Sequence, residues 1–96
     1  MKIENIKNEK GIPVKNQFVI SNEDTIIFQS YESKIAKYNK NYKTLKLYGD
    51  LWRFSKTTQK HFKSFVNGYT CFGYDNQNDF KKLVEVEMKD RIKIIN

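Results

Sequence analysis

A chain of 96 residues with a formal net charge of +7 and 15% aromatic residues has the size of one domain with a modest core. It contains no run of roughly 18 apolar residues and no apolar stretch near its N-terminus, so we expect neither a membrane span nor a secretory signal. The single cysteine, Cys71, excludes an internal disulfide and a cysteine-based zinc site. We therefore expect a cytoplasmic protein that uses neither a metal nor a cofactor.

The first half of the chain predicts a polar arm followed by strands. Residues 1–13 are polar and end in the break Gly11-Ile12-Pro13, which indicates a flexible arm or an edge segment before a single domain over 14–96. Four runs rich in β-branched and aromatic residues follow: VKNQFVI, TIIFQSY, KIAKYN and KTLKLYG. Because the turn formers SNED, ES and NKN separate them, we predict an antiparallel meander of three or four strands.

Side-chain alternation assigns faces within this meander. In the fourth run it places Leu45 and Leu47 on one face and Lys46 and Tyr48 on the other. In the third run it places either Lys34 or Lys37 beside Tyr38 on that polar face. The bulky side chains that we expect in the core are Phe28, Tyr31, Ile35 and Trp52.

The stretch WRFSKTTQKHFKSF, residues 52–65, predicts a helix. Ser55 is the expected N-cap, its hydroxyl accepting the amide of Thr57 or Thr58. Apolar side chains recur at helical spacing on one face and lysines on another. Gly68 is the expected C-terminal stop, so the helix should span Ser55–Asn67, preceded by LWRF as a short extended piece.

The last third predicts a loop, a second helix and a short strand. GYTCFGYDNQN is a loop, and Asn78 or Asp79 caps a helix near 78–90 that follows it. Since VEVEM also alternates like a strand, both structures remain open for 83–89. The final IKIIN favours a strand. The predicted fold class is α+β, a small antiparallel meander packed against one or two helices.

Residues with catalytic potential form no catalytic pattern. His61 is the only histidine, and side chains at i and i+4 on a helix do not aim at each other as a nucleophile and its base must. Cys71 stands among aromatic residues, where a small core side chain is the commoner role. No glycine loop is followed by Gly-Lys-Ser/Thr. We therefore predict that the protein is not an enzyme.

Positive charge is concentrated in the middle of the chain. Residues 33–74 contain eight lysines and Arg53 against Asp50, a net +8, while the remaining residues sum to −1. Such a segment attracts polyanions or an acidic protein surface. A compositional interpretation competes, because sixteen Lys against two Arg, with ten Asn and ten Ile, is what AT-rich coding sequence produces at tolerant surface positions.

Tyrosines are interleaved with the lysines of this segment. Sites for single-stranded nucleic acid combine cations that hold phosphates with rings that stack on bases. We expect the basic residues of the helix and of the neighbouring strands to gather on one face. The candidate binding residues are Lys34, Lys37, Tyr38, Lys43, Lys46, Tyr48, Arg53, Lys56, Lys60 and Lys63.

Two stretches, FQSYESKIAKYN and LKLYGDLWRFSKTTQKHFKSF, resemble a domain family of unknown function found in small phage- and prophage-encoded proteins. Its pattern is Phe-x-Ser-Tyr-x-Ser-x-Ile-Ala, followed by Trp-x-(Tyr/Phe)-Ser-x-Thr-Thr-x-Lys-His, and the match covers about Phe18 to Val66. The resemblance implies a phage accessory protein, at work in the cytoplasm of the host cell.

Two binding functions remain open at this point. One is interference with a host defence or nucleic-acid-processing complex, of the anti-CRISPR or anti-restriction type, with a host protein or nucleoprotein as the partner. The other is direct binding of single-stranded or structured DNA or RNA. Both need a basic, aromatic face, neither involves a membrane, and both leave the oligomeric state open.

Overall fold

Six strands form one sheet in chain order. In a computed structural model, which describes residues 1–53, 55–87 and 89–95, they are β1 (Lys2–Lys7), β2 (Pro13–Ser21), β3 (Thr25–Ser30), β4 (Ser33–Asn39), β5 (Thr44–Tyr48) and β6 (Ile92–Ile95). Strands β1 to β5 pair antiparallel, and β6 joins β5 in parallel. The α+β class is confirmed. The expectation of three or four strands is wrong, because β1 and β6 extend the meander.

The two additional strands are edge strands. β1, with the sequence KIENIK, lies within the segment 1–13 and pairs only with β2. Its polar side chains are tolerated there because an edge strand remains solvated. β6 is the strand expected from IKIIN, although Asn96 lies outside the described residues. Its place beside β5 depends on a pairing across residues 49–91, which short-range patterns do not show.

Helix α1 (Lys56–Tyr69) begins as expected and ends later. The Ser55 hydroxyl accepts the N–H of Thr58 at 3.1 Å, which confirms the N-cap. The helix continues through Gly68, so the predicted stop there is wrong. It ends at Tyr69 and is capped by Thr70, whose hydroxyl donates to the carbonyl of Val66 at 2.8 Å and so satisfies one of the final carbonyls that lack an intrahelical partner.

Helix α2 (Gln77–Lys82) has a different cap from the one expected. The side chain of Asn76 accepts the N–H of Asp79 at 3.0 Å, so the predicted caps Asn78 and Asp79 are wrong. A π-helical turn, Leu83–Glu87, follows α2. Of the two structures left open for 83–89, helix and strand, the helix is therefore correct as far as Glu87. Met88 lies outside the described residues. No helix in the described part of the chain is long and apolar enough to cross a membrane.

A 3₁₀ turn, Leu51–Arg53, links β5 to α1. The prediction that LWRF is extended is therefore wrong for Leu51–Arg53. Phe54 lies outside the described residues. The turn buries Trp52, which is 2% exposed. Phe28 and Ile35 are likewise confirmed as core residues.

Two other core expectations are wrong. Tyr31 is 63% exposed, because β3 ends at Ser30 and the tyrosine occupies the turn that leads to β4. Cys71 is exposed as well, in the loop between the helices. That loop is held by Asn67, whose side chain donates to the carbonyl of Tyr74 at 3.0 Å and accepts its N–H at 2.7 Å.

Phe62 joins the sheet to both helices. Its ring centroid lies 6.3 Å from that of Phe28 on β3, 5.7 Å from that of Trp52 and 5.2 Å from that of Phe80 on α2. All four side chains are at most 2% exposed. Both helices therefore pack on the same side of the sheet as Phe28.

Replacing Phe62 with alanine should reduce the free energy of unfolding by about 3–5 kcal/mol, because the cavity touches three elements that cannot all collapse into it. Urea unfolding followed by circular dichroism measures the change. Tyr42→Ala is the matched control, since Tyr42 is 77% exposed and its loss should change stability by less than about 0.5 kcal/mol. Equal effects of the two substitutions would contradict this account of the core.

Candidate functional site

The sheet has one covered face and one open face. A cross-strand row of Val19, Phe28, Ala36 and Leu47 is buried beneath the helices. Because successive side chains of a strand point to opposite faces, their neighbours along each strand face the other way. Those neighbours are half-buried or exposed, except for Ile35, which precedes Ala36 and is 3% exposed. We call this second surface the open face.

One row of residues crosses the open face from edge to edge. Each member is directly opposite the next in the register of the six strands. The row is apolar on β1 to β3 and cationic on β4 to β6. Its members, in order, are Ile3, Ile20, Ile27, Lys37, Lys46 and Lys93. We call the last three the lysine row.

The lysine row places like charges side by side. Directly opposed like charges destabilise a sheet, and no ion pair joins these lysines to a carboxylate of the described residues. The only acid in any strand is Glu4. It lies on the covered face, opposite Val19, where it accepts a hydrogen bond from the Tyr69 hydroxyl at 2.8 Å. A bound anion would relieve the repulsion within the row.

A groove lies beside the lysine row at the ends of β3, β4 and β5. It has a volume of about 320 Å³. The lining residues are Thr25, Lys37, Asn39, Tyr42, Thr44 and Lys46. Tyr48 is on the same face as Lys46, two residues along β5. The open face and its groove thus carry both lysines and two tyrosines.

Four of the ten predicted binding residues lie on the open face: Lys34, Lys37, Lys46 and Tyr48. Lys43 is exposed in the adjoining turn, with a φ of 53°. Tyr38 does not belong to this surface. It is 6% exposed on the covered face, its ring 6.2 Å from that of Phe72. Burial raises the pKa of its hydroxyl.

The remaining candidates lie on the opposite side of the molecule. Lys56, Lys60 and Lys63 belong to α1, which covers the other face of the sheet. Arg53 pairs with Asp50 at 2.9 Å and stands 5.4 Å from the ring centroid of Trp52. The expectation that all the basic residues gather on one face is therefore wrong, because the sheet itself separates them into two groups.

His61 lies at a third place, a cleft of about 210 Å³ between α1 and the turn after β1. Glu9, Lys60 and Lys63 also line this cleft. The imidazole is 9% exposed. Its burial, and the positive charge of Lys60, lower its pKa below the ordinary value of 6.5.

A larger cavity, of about 510 Å³, lies where the first turn of α1 meets the middle of β2 and the turn between β3 and β4. Its polar lining consists of Gln17, Ser30, Ser33, Ser55, Thr57 and Thr58, and its other walls are Tyr31, Ile35 and Leu51. We call it the hydroxyl cavity. Gln17 is 2% exposed, and its Oε1 has no hydrogen-bond partner among the described residues.

Sequence reasoning missed this cavity, although its signal was present. The segments Ser-Tyr-Glu-Ser (30–33) and Ser-Lys-Thr-Thr (55–58) supply most of the wall. They are the hydroxyl-rich parts of the two stretches that carry the family resemblance. Only the fold shows that they meet.

The fold and these surfaces define a small α+β domain with one helix-covered and one open sheet face. The chain belongs to a family of unknown function (DUF8033), which matches residues 1–82. No curated protein and no solved structure matches it. In the part of the chain that the structure describes, no three histidine, cysteine or acidic side chains could together hold a metal ion.

Lowering the pH should destabilise the protein through His61. Because the folded state resists protonation of this imidazole, unfolding takes up a proton between the lowered pKa and 6.5. The free energy of unfolding should therefore fall as the pH drops through 6.5. Thermal melts between pH 7.5 and pH 5.5 (approximate limits set by the ordinary histidine pKa) measure this dependence.

His61→Gln is the control, since glutamine does not titrate. Its melting temperature should be nearly flat over this range. Glu4 does not interfere, because the hydrogen bond from Tyr69 lowers its pKa below 4.5. Its stabilising effect is complete above 4.5 and is lost only at lower pH. A wild-type curve as flat as that of His61→Gln would contradict the assignment.

Proposed function

We propose that this protein is a non-enzymatic accessory protein of the phage type that binds, through its open face, a host defence or nucleic-acid-processing complex. The observation that carries the proposal is the lysine row of Lys37, Lys46 and Lys93, three adjacent cations with no carboxylate among the described residues to neutralise them. Like charges that lie directly opposite each other lower the stability of a sheet. An anionic partner surface offsets that cost.

The apolar half of the open face supports a protein or nucleoprotein partner. Ile3 is 60% exposed, and Phe18, Ile20 and Ile27 remain half-buried beside it. A contiguous apolar patch next to charged residues is typical of an interaction surface. Burial of the isoleucines would supply affinity, while the lysine row would guide the approach and fix the orientation.

The phage assignment and the class of partner rest on the family resemblance. The motif Ser-x-Thr-Thr-x-Lys-His at 55–61 and the pattern at 28–36 resemble those of small phage and prophage proteins. Such proteins act on host machinery, for example on CRISPR effectors or restriction enzymes. This chain would act in the host cytoplasm, and because interference by docking needs no chemistry, His61→Ala should retain it.

A second candidate function is direct binding of single-stranded or structured nucleic acid. The groove that contains Lys37, Lys46 and Tyr42 favours it, because it combines cations with an exposed ring. Tyr42 is 77% exposed and free to stack on a base, a contact of about 1–3 kcal/mol.

Reversing the charge of the lysine row should abolish partner binding. The variant Lys37→Glu/Lys46→Glu/Lys93→Glu removes three favourable contacts of up to about 1 kcal/mol each and adds repulsion, so affinity should fall about 100-fold. The partner is captured from host cells on the tagged chain, identified, purified and titrated by interferometry. A plating assay with phage on defence-proficient cells provides the functional readout.

The matched control is Lys56→Glu/Lys60→Glu/Lys63→Glu. It changes the net charge by the same amount, but on the helical side of the molecule. It should bind and interfere as the wild type does. If both triple variants lose binding equally, net charge alone is responsible, and the open face has no special role.

Salt dependence separates the two candidate functions. Direct binding of labelled oligo(dT) or oligo(U) through the lysine row should weaken with a log–log slope of about −2, since single strands contribute about −0.7 per phosphate contact. Fluorescence anisotropy at several salt concentrations gives the slope. If the wild-type chain binds neither oligonucleotide at about 50 mM salt, where such contacts are strongest, the nucleic-acid function is wrong.

A further inference from the structure

The groove at the ends of β3, β4 and β5 is lined by two adjacent rows of the open face. Lys37 and Lys46 are opposite each other in one row. Thr25, Asn39 and Thr44 are opposite one another in the next row. Because residues two apart on a strand share a face, both rows line the same groove of about 320 Å³. Its floor therefore consists of side chains that the sheet holds in position.

The turn between β4 and β5 forms one wall of the groove. The Oδ1 of Asn39 accepts the N–H groups of Asn41 and Tyr42 at 2.9 and 3.0 Å. In the turn before β3, the Oδ1 of Asp24 accepts the Nδ2 of Asn41 at 2.9 Å, and its carbonyl accepts the N–H of Lys40 at 2.9 Å. These bonds keep Tyr42, which is 77% exposed, beside the groove.

The groove offers positive charge and hydrogen-bond donors. Among the described residues, no carboxylate lines it. The ammonium groups of Lys37 and Lys46 donate and cannot accept. Because the turn uses the Oδ1 of Asn39, the Nδ2 of this amide, a donor, is left for a ligand. The hydroxyl of Thr44 can donate as well. Such a set of groups suits an oxyanion.

The number of cations in the groove distinguishes between two kinds of phosphate group. Directly opposed residues such as Lys37 and Lys46 have β-carbons about 4.5–5.5 Å apart, so both side chains can hold one anion. A phosphodiester has a single negative charge and balances one lysine. A phosphomonoester carries a charge of about −1.5 to −2 at pH 7 and three acceptor oxygens. The lysine pair therefore favours the monoester.

From this combination we infer that the groove holds the terminal phosphomonoester of a single-stranded nucleic acid. The ring of Tyr42, at the wall of the groove, stacks on the terminal base. Lys93 is opposite Lys46 and lies outside the groove lining. As the third member of the lysine row it contacts the next phosphate of the strand. The ring and the third lysine favour a strand over a free phosphate, which would use only the lysine pair.

This inference rests on the second candidate function, direct binding of nucleic acid through the open face. Its test compares three forms of an oligo(dT) with an internal fluorophore: 5′-phosphorylated, 3′-phosphorylated and unphosphorylated. Fluorescence anisotropy at about 50 mM salt measures the affinities. One of the phosphorylated forms should bind about tenfold more tightly than the unphosphorylated strand, since it adds a charge-assisted contact.

Two outcomes would overturn the inference, and they differ in what they leave standing. Equal binding of all three forms would remove the terminal site, while direct binding of nucleic acid through the open face would stand. Binding of none of them would remove both.

The variant Lys37→Gln/Lys46→Gln shows whether the groove reads the terminal phosphate. It removes both charges, so the tenfold preference for the phosphorylated strand should disappear. The matched control, Lys56→Gln/Lys60→Gln, loses the same charge on α1 and should keep the preference. The ratio of the two affinities is the readout, because a general loss of positive charge weakens both strands alike. Preference retained by the groove variant, or lost by the control, would refute the site.

Tyr42→Ala tests the contact with the base. It should weaken binding of the phosphorylated strand about tenfold by removing one stacking contact, whereas Tyr42→Phe keeps a ring and should bind as the wild type does. Unchanged binding by Tyr42→Ala would contradict the stacking.

Two smaller ligands carry the same phosphate group without the rest of the strand. Thymidine 5′-monophosphate lacks the next phosphate, and a phosphoserine peptide lacks a base. Both should bind more weakly than the phosphorylated oligo(dT), since each forgoes a contact with Lys93 or Tyr42. If either binds as tightly as the strand, the assignment to a nucleic-acid end is wrong.

Discussion

The contact of the Phe62 ring with Phe28, Trp52 and Phe80 determines how both helices are placed on the sheet. It presses α1 and α2 onto one face of the sheet, with ring centroids 5.2–6.3 Å apart. Because both helices pack on that side, the opposite face of the sheet stays uncovered. The same contact sets the first turn of α1 over the middle of β2 and the turn between β3 and β4, where the hydroxyl cavity forms. Both the open face and the hydroxyl cavity follow from this one cluster.

Much of the fold could be predicted because its signals are local. The meander β2 to β5 is marked by turn formers between β-branched runs, and the start of α1 by the cap at Ser55. For residues 1–13 a flexible arm and an edge segment both remained open, because an edge strand such as β1 needs little apolar sequence. The pairing of β6 could not be predicted, since it depends on the path of residues 49–91.

Less of the candidate site could be predicted, because the sheet face on which a side chain lies depends on the register of its strand. Strand β4 contains a bulge: Phe28 pairs with Ala36 and Gln29 with Lys34, so Ile35 is the extra residue. Regular alternation would put Lys34 and Lys37 on opposite faces, whereas the bulge turns both to the open face, and Tyr38, which follows Lys37, lies in the core. Lys93 joins them only through the parallel pairing of β6.

The parallel pairing also orders events during synthesis on the ribosome. Residues 49–91 must emerge before β6 can reach β5, and such long-range pairings form slowly. Until then the backbone groups of β5 on that side have no strand to bond, and an exposed edge invites pairing with other nascent chains. Before β6 arrives, Lys46 lies on an edge strand, and repulsion between like-charged edges discourages such pairing. A cation suited to holding a partner in the finished protein can thus protect the unfinished one from aggregation.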